Sequence, residues 1–348
     1  MSMEYRKLGR TGLDVSAIGL GTEHLERDKK MMDRVLGTAV EAGLSYVDLL
    51  YIEPDYWDAY GSIYKTYRDR LVAAAHWGYN PDIDYCQRCF DGMLSHLGNN
   101  YAEVAMLAVV DKEQTWDEWA RESIERLQTY KEQGRVGYIG MSGHTVSTAL
   151  KAINSGLIDV LMFHANPICN VYYEGNSELY QTCTEKGVGL VAMKPYAGGT
   201  LLYLDGKPTG ITPAQCLHYV LSLPVSTTVP GPRNIEQLEA TLHYLEATDE
   251  EKECSSIMDS IHQSLVGHCV YCNHCLPCPQ NIDIGMTLCL ADWAKAGVSD
   301  DLMNFYNDFP AKASDCVECG QCVERCPFDV DVIPKMRKAA EIFDTNTS

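Results

Sequence analysis

The sequence predicts an α/β fold, a (β/α)8 TIM barrel opened by a short hairpin and followed by a smaller, α-helical module crowded with cysteine. Three observations lead there. From Ala17 to about Leu245, short apolar runs alternate with amphipathic stretches, the rhythm of repeated βα units around a parallel sheet. A chain of 348 residues has room for one barrel of about 250 residues and an appendage of about 80. Most of the fifteen cysteines fall beyond Gly267, so the tail differs in kind from the rest.

In chain order, Tyr5–Ser16 reads as a hairpin turning at Arg10–Gly12 and placed to plug the bottom of the barrel. Eight strands are expected at Ala17–Gly21, Ser45–Leu49, Leu71–Ala75, Glu103–Val109, Val136–Gly140, Val160–Phe163, Gly189–Met193 and Thr227–Val229. Met31–Ala42, Thr115–Gln133 and Ile235–Leu245 carry the one-sided apolar spacing of outer helices. The charged run Asp249–Glu253 marks a surface crossing, which divides the chain into a barrel domain, residues 1–255, and a C-terminal domain, 256–348.

A formal charge of -20 opposes encounter with a nucleic-acid backbone or an anionic membrane, so neither is expected as a partner. No stretch has the apolar length of a signal peptide or a membrane helix, and a cytoplasmic location follows as the expectation. In that compartment, abundant cysteine points to metal ligation rather than to disulfides.

The tail holds Cys269, Cys272, Cys275 and Cys278 before Pro279, then Cys316, Cys319, Cys322 and Cys326 before Pro327. Two-residue spacing lets three thiolates curl around one cubane, and a fourth beside proline closes the cage. The second run resembles the bacterial ferredoxins throughout, and the first differs by one residue before its last cysteine. That resemblance implies a ferredoxin-like domain with two 4Fe-4S clusters. In it the fourth cysteine serves the opposite cluster, giving Cys269, Cys272, Cys275 and Cys326 to one and Cys316, Cys319, Cys322 and Cys278 to the other. All-cysteine zinc sites are the plainer alternative. The segment between the two runs, Met286–Phe309, reads as helical. Cys86 and Cys89 read as ordinary helix residues, and Cys169, Cys183, Cys216, Cys254 and Cys289 as buried small apolar ones.

Tyr5–Thr22, Tyr46-Val-Asp48, Gly137–His144, Gly189–Pro195 and Thr228–Gln237 occur in the order of the aldo-keto reductases, and the chain resembles the subgroup of that family with a C-terminal ferredoxin domain. The resemblance implies an NADP phosphate held after the last strand by Gly231, Arg233, Asn234 and Gln237; a loop entering a helix offers backbone N–H groups to a phosphate, of NADP(H) or of FMN. A capped helix start is the plainer reading of the same residues. Ser142 and Asn166 match the positions that touch the nicotinamide. Met162 replaces the family's usual glutamine, and Met193 stands where many relatives stack an aromatic ring. Lys194, at the end of the seventh predicted strand, joins the candidate cofactor residues, with His144 and His164 expected beside it at the mouth.

The family's reductases use tyrosine as general acid, lysine and aspartate to tune it, and histidine to orient the carbonyl. Here the aspartate is Asp48, but the tyrosine position aligns with Glu53, the lysine becomes His76 and the histidine becomes Ala108. Tyr51 and Tyr56 lie close by. An Asp48–His76 pair could move protons, with the carboxylate fixing the imidazole tautomer. Asp48, His76, Tyr51 and Glu53 are therefore the catalytic candidates, facing a polar small molecule. The expected activity is an oxidoreductase that couples cluster electron transfer to a redox reaction at the barrel mouth in an anaerobic or reducing cytoplasm. It is not ordinary NADPH carbonyl reduction. The alternatives are an electron-delivery subunit for a redox partner protein, and a non-redox lyase or isomerase using Asp48 and His76 with structural clusters.

Overall fold

The computed structural model describes residues 3–25, 28–50, 54–78, 80–172, 174–204, 206–255, 257, 261 and 265–344. Strand β1 (Tyr5–Lys7) pairs antiparallel with β2 (Asp14–Ser16), Tyr5 opposite Ser16, around a tight turn at Gly9–Thr11. Eight parallel strands follow in chain order: β3 (Leu20–Gly21), β4 (Tyr46–Leu49), β5 (Val72–Gly78), β6 (Ala102–Leu107), β7 (Val136–Ser142), β8 (Val160–His164), β9 (Gly189–Met193) and, after a small hairpin of β10 (Tyr203–Leu204) and β11 (Lys207–Pro208), β12 (Thr227–Val229). The ring closes through the backbone: Gly19 N–H donates to Thr228 O (2.7 Å), Thr228 N–H to Ala17 O (3.0 Å) and Gly21 N–H to Pro230 O (2.9 Å). Closure of this kind leaves the sheet no open edge.

The strands fall on the predicted apolar runs with shifted ends: β3 keeps only Leu20–Gly21 of the expected Ala17–Gly21, β6 stops at Leu107 instead of Val109, and β8 runs one residue further to His164, while two others lengthen more. β5 continues past Ala75 through His76 and Trp77, and β7 past Gly140 through Met141 and Ser142. These added residues are buried, so tertiary packing rather than local pattern sets the strand ends.

Packing has two layers. Inside the ring, Tyr46, Ala74, Val104, Met106, Val160 and Val191 meet Leu8 and Val15 of the hairpin. The hairpin thus fills the end where the strands begin. Gly9 is required there: it has φ 52, and a Cβ would stand 2.3 Å from Gly189 N. Outside the ring, helices cover the strands, as in Lys29–Glu41, capped by the Asp28 carboxylate on Met31 N–H (2.8 Å) and burying Met32, Val35, Leu36, Ala39 and Val40. Cys86 and Cys89 lie buried on the helix Ile83–His96. Cys169, Cys183 and Cys216 are also buried, whereas Cys254 and Cys289 are only half-buried, a correction to the sequence reading.

The chain divides into two compact units. One comprises Met1–Asn170 with Glu174–Cys254, the other Val171–Tyr173 with Ser255–Ser348. The second unit is built on the helices Ile284–Trp293, Asp300–Asn307 and Val332–Phe343. Two of these occupy the segment expected to be helical, separated by Gly297 with φ 126. Its core holds Tyr306 stacked on Phe343 at 4.4 Å, with the Tyr306 hydroxyl donating to Asp344. Lys312 Nζ donates to the carbonyls of Tyr306, Asn307 and Phe309 at the end of their helix, where a cation suits the dipole. Among the described residues no helix is long and apolar enough to cross a membrane.

Candidate functional site

Neighbouring strand ends bring distant residues together at the mouth of the barrel. Asp48 on β4 and His76 on β5 meet with Oδ1 2.7 Å from Nε2; both are buried, His76 at 1 % exposure. The histidine expected at the family's lysine position therefore contacts the aspartate. The other ring nitrogen, Nδ1, is also buried and has no hydrogen-bond partner among the described residues. Thr22 Oγ1 donates to the Asp48 carbonyl (2.7 Å), tying β4 to the loop after β3. Tyr56 and Tyr64 share a hydrogen bond of 2.8 Å, and burial, then Tyr56, push the Tyr64 phenol well above its ordinary value. Tyr51 and Glu53 lie outside the described residues.

A second cluster joins Asp111, His144 and Lys194, from the ends of β6, β7 and β9. Asp111 accepts from the backbone N–H of His144 through Oδ1 (2.5 Å) and faces its ring Nδ1 through Oδ2 (3.0 Å). Lys194 Nζ lies 3.0 Å from His144 Nε2. An ammonium only donates, so Nε2 is the acceptor and the ring proton sits on Nδ1, facing the carboxylate. Burial works to raise the Asp111 carboxyl, but the hydrogen bonds from the His144 side chain and backbone, with the charge of Lys194, outweigh it and hold the group below its ordinary value. The close approach depends on Gly143, where a Cβ would stand 2.7 Å from Val110 O. His164, the last residue of β8, is buried with its ring 6.2 Å from that of His144 and nearly parallel to it. Burial, then the neighbouring His144 and Lys194, push its pKa down to about 3, so it is neutral. Sequence reasoning placed His144, His164 and Lys194 at the mouth but missed Asp111, whose one signal was its place just past the fourth predicted strand.

The expected cofactor residues are largely engaged by their own chain. Ser142 Oγ accepts from Val109 N–H (2.9 Å), a residue held at φ 51. Asn166, 1 % exposed, bridges Lys194 O (3.0 Å) and Cys169 N (2.9 Å). After β12, Asn234 caps the helix Ile235–Leu242 by accepting from Gln237 N–H (3.1 Å), and Gln237 Oε1 accepts from Arg233 N–H (2.8 Å). The capped helix start is thus present, while Arg233 itself is exposed beside Gly231.

In the second unit, one pocket is lined by Cys269, Cys272, Cys275 and Cys326, and another by Cys278, Cys316, Cys319 and Cys322 together with Cys275. Each pocket therefore draws its fourth cysteine from the opposite run. The two runs also fold alike. Tyr271 and Asn273 flank Cys272 with φ 60 and 64; Glu318 and Gly320 flank Cys319 with φ 55 and 78. Asn281 and Asp329, three residues past the final cysteines, have φ 57 and 51 and donate their N–H groups to Cys278 O and Cys326 O. A helix follows each, from Ile284 and from Val332. This repeat extends beyond the cysteine spacing that the sequence shows. Burial pushes the Cys269 and Cys275 thiols up to about 12. Such thiols become thiolates when a cation binds them, and four sulphurs around an otherwise apolar pocket fit an iron–sulfur cage. Among the described residues no three His, Cys, Asp or Glu side chains are gathered as a site for a single metal ion.

A parallel eight-stranded barrel with ionisable residues at its carboxyl mouth defines an enzyme of the (β/α)8 class. The model of the aldo/keto reductase family matches residues 17–215, and the chain belongs to that family, which typically uses NADP(H); it is an oxidoreductase. It is similar to the uncharacterized oxidoreductase YrpG of Bacillus subtilis, with 26 % identity over 307 residues covering 70 % of this chain and 91 % of the relative. Similarity to the L-glyceraldehyde 3-phosphate reductase of Escherichia coli K12 is 23 % over 231 residues, 59 % of this chain and 66 % of that one. Among solved structures, an aldo-keto reductase from Bacillus halodurans in its holo form superposes with a TM-score of 0.62 at 22 % identity, over 75 % of this chain and 96 % of that one, a likeness of fold.

Proposed function

We propose that this oxidoreductase holds two 4Fe-4S clusters in its C-terminal domain, residues 256–348, and carries out at the barrel mouth a redox reaction other than ordinary NADPH carbonyl reduction. The observation that carries the reading is the pair of pockets, each lined by three cysteines of one run together with the last cysteine of the other, Cys275 lining both. Cysteines 269, 272, 275 and 326 would ligate one cluster and 316, 319, 322 and 278 the other. Bound there, the clusters would supply single electrons.

Within the barrel, the residues argue against the family's usual proton donor. His76 takes the lysine position and meets Asp48, and Ala108 leaves no imidazole to orient a carbonyl. Asp48 and His76 hold or move a proton at Nε2, with Tyr51 and Glu53 as further candidates. Arg233 and the backbone near Gly231 are the groups for a phosphate, of NADP(H) or FMN. A reducing cytoplasm is the compartment that suits such a protein.

The test is elemental and spectroscopic. Protein purified without air is expected to contain about eight iron and eight sulfide per chain, the content of two cubanes, and to bleach on reduction with dithionite. Zinc in place of iron, or neither metal, would remove the reading.

A further inference from the structure

The charges of the Asp111, His144 and Lys194 cluster are sorted by depth. Both carboxylate oxygens of Asp111 face His144, one toward its backbone N–H and one toward its ring. The negative charge is thus engaged behind the imidazole. Lys194 lies on the far side of the ring and is exposed, so its ammonium is the charge this cluster turns outward. One of its three N–H groups points to His144 Nε2, which leaves two for a ligand.

The lysine is held as well as exposed. Its backbone adopts φ 57, and its carbonyl accepts from Asn166 Nδ2 (3.0 Å) and from Ala197 N–H (2.9 Å). A left-handed residue other than glycine persists where its surroundings over-determine it, and such residues cluster at ligand clamps. Beside it, His164 adds an uncharged ring. The chain as a whole is strongly acidic, so long-range steering disfavours an anionic ligand and a local cation must decide.

We propose that Lys194 binds the carboxylate of a small organic-acid substrate at the barrel mouth, and that His144 and Asp111 are positioning residues that hold its ammonium in place. A carboxylate fits better than a phosphate ester: one ammonium balances a monoanion, whereas a dianion with three acceptor oxygens calls for more donors than this cluster supplies. The proposal names the substrate class of the oxidoreductase site and rests on the reading that the mouth is where the enzyme acts.

Equilibrium dialysis of labelled pyruvate against the full-length, iron-loaded protein tests it, without any reductant. Saturable binding is expected, weakened about tenfold or more by Lys194→Met and by His144→Phe, and kept within about threefold by Lys194→Arg and by His144→Gln, which retains an acceptor. Glyceraldehyde, which lacks the carboxylate, should not compete. No saturable binding, equal binding by Lys194→Met, or tighter displacement by inorganic phosphate would each overturn the proposal. Iron content, measured on the same samples, reports the cluster reading separately. Pyruvate binding that depends on Lys194 in protein without iron would uphold this site while that reading fell.

Discussion

The barrel mouth contains two aspartate–histidine contacts of similar length and opposite situation. Asp48 and His76 meet at 2.7 Å in a buried setting, and the pair ends at an Nδ1 with no partner among the described residues. Asp111 and His144 meet at 3.0 Å in a half-exposed setting, and the chain continues to the exposed Lys194. Burial strengthens a polar contact and makes its disruption costly, so the first pair is built to hold its geometry. Exposure weakens the second energetically and lets it present a charge. The same two residue types thus serve the interior and the rim.

The sharpest test of this contrast is His164, which lies beside the exposed cluster yet is itself buried. Its folded pKa is about 3, below the ordinary histidine value, because burial and the neighbouring His144 and Lys194 disfavour the imidazolium. Between about pH 6.5 and pH 3 the unfolded chain therefore binds a proton that the folded barrel refuses. Stability is present above the upper limit and falls on acidification at up to about 1.4 kcal/mol per pH unit. His164→Asn should remove that slope. Denaturant unfolding at several pH values, read by tryptophan fluorescence in a Trp293→Phe background, isolates the barrel signal from the second unit. A slope unchanged in the variant would show that His164 is not the neutral, buried group described.

Asp48→Ala is expected to come next, at about 3 kcal/mol of barrel stability, because it strips the buried His76 of its hydrogen-bond partner. Replacement of His76 by Gln should cost less, since the amide can still donate to the carboxylate. If Asp48→Ala unfolds at the wild-type denaturant concentration, the buried pair contributes nothing and the contrast with Asp111 collapses.

How far the sequence foretold these sites follows from how each is assembled. The eight strands were legible because each is a short apolar run with its own boundaries, and even β12 spans the expected Thr227–Val229. Asp48 and His76 were legible as a pair because strands adjacent in sequence are adjacent in the barrel. Asp111 was not, since its role depends on a loop bending back over Gly143, a contact that no local pattern encodes. The cysteine spacing could be read directly, yet the repeated left-handed residues around Cys272 and Cys319 could not: Tyr271, Asn273 and Glu318 are not glycines, and only the folded chain shows their φ. The expectation that Ser142 and Asn166 serve a nicotinamide came from position alone, which says nothing of the backbone groups that engage them.

The smallest expected effect lies at the rim. Asp111→Asn keeps the side chain's shape and removes its charge, and with both partners partly exposed the loss at neutral pH should be about 1 kcal/mol or less. Its signature is in acid. The folded Asp111 carboxyl is held below its ordinary value, so its contribution is complete above about pH 4, the unfolded carboxyl range, and is lost as pH falls through the lower folded value. The variant should therefore lag slightly at pH 7, and the gap should close as pH falls below the unfolded carboxyl range. A variant that loses several kcal/mol at neutral pH would place Asp111 with the buried pair, and the division of the mouth into a buried interior and a charge-presenting rim would have to be redrawn around His144.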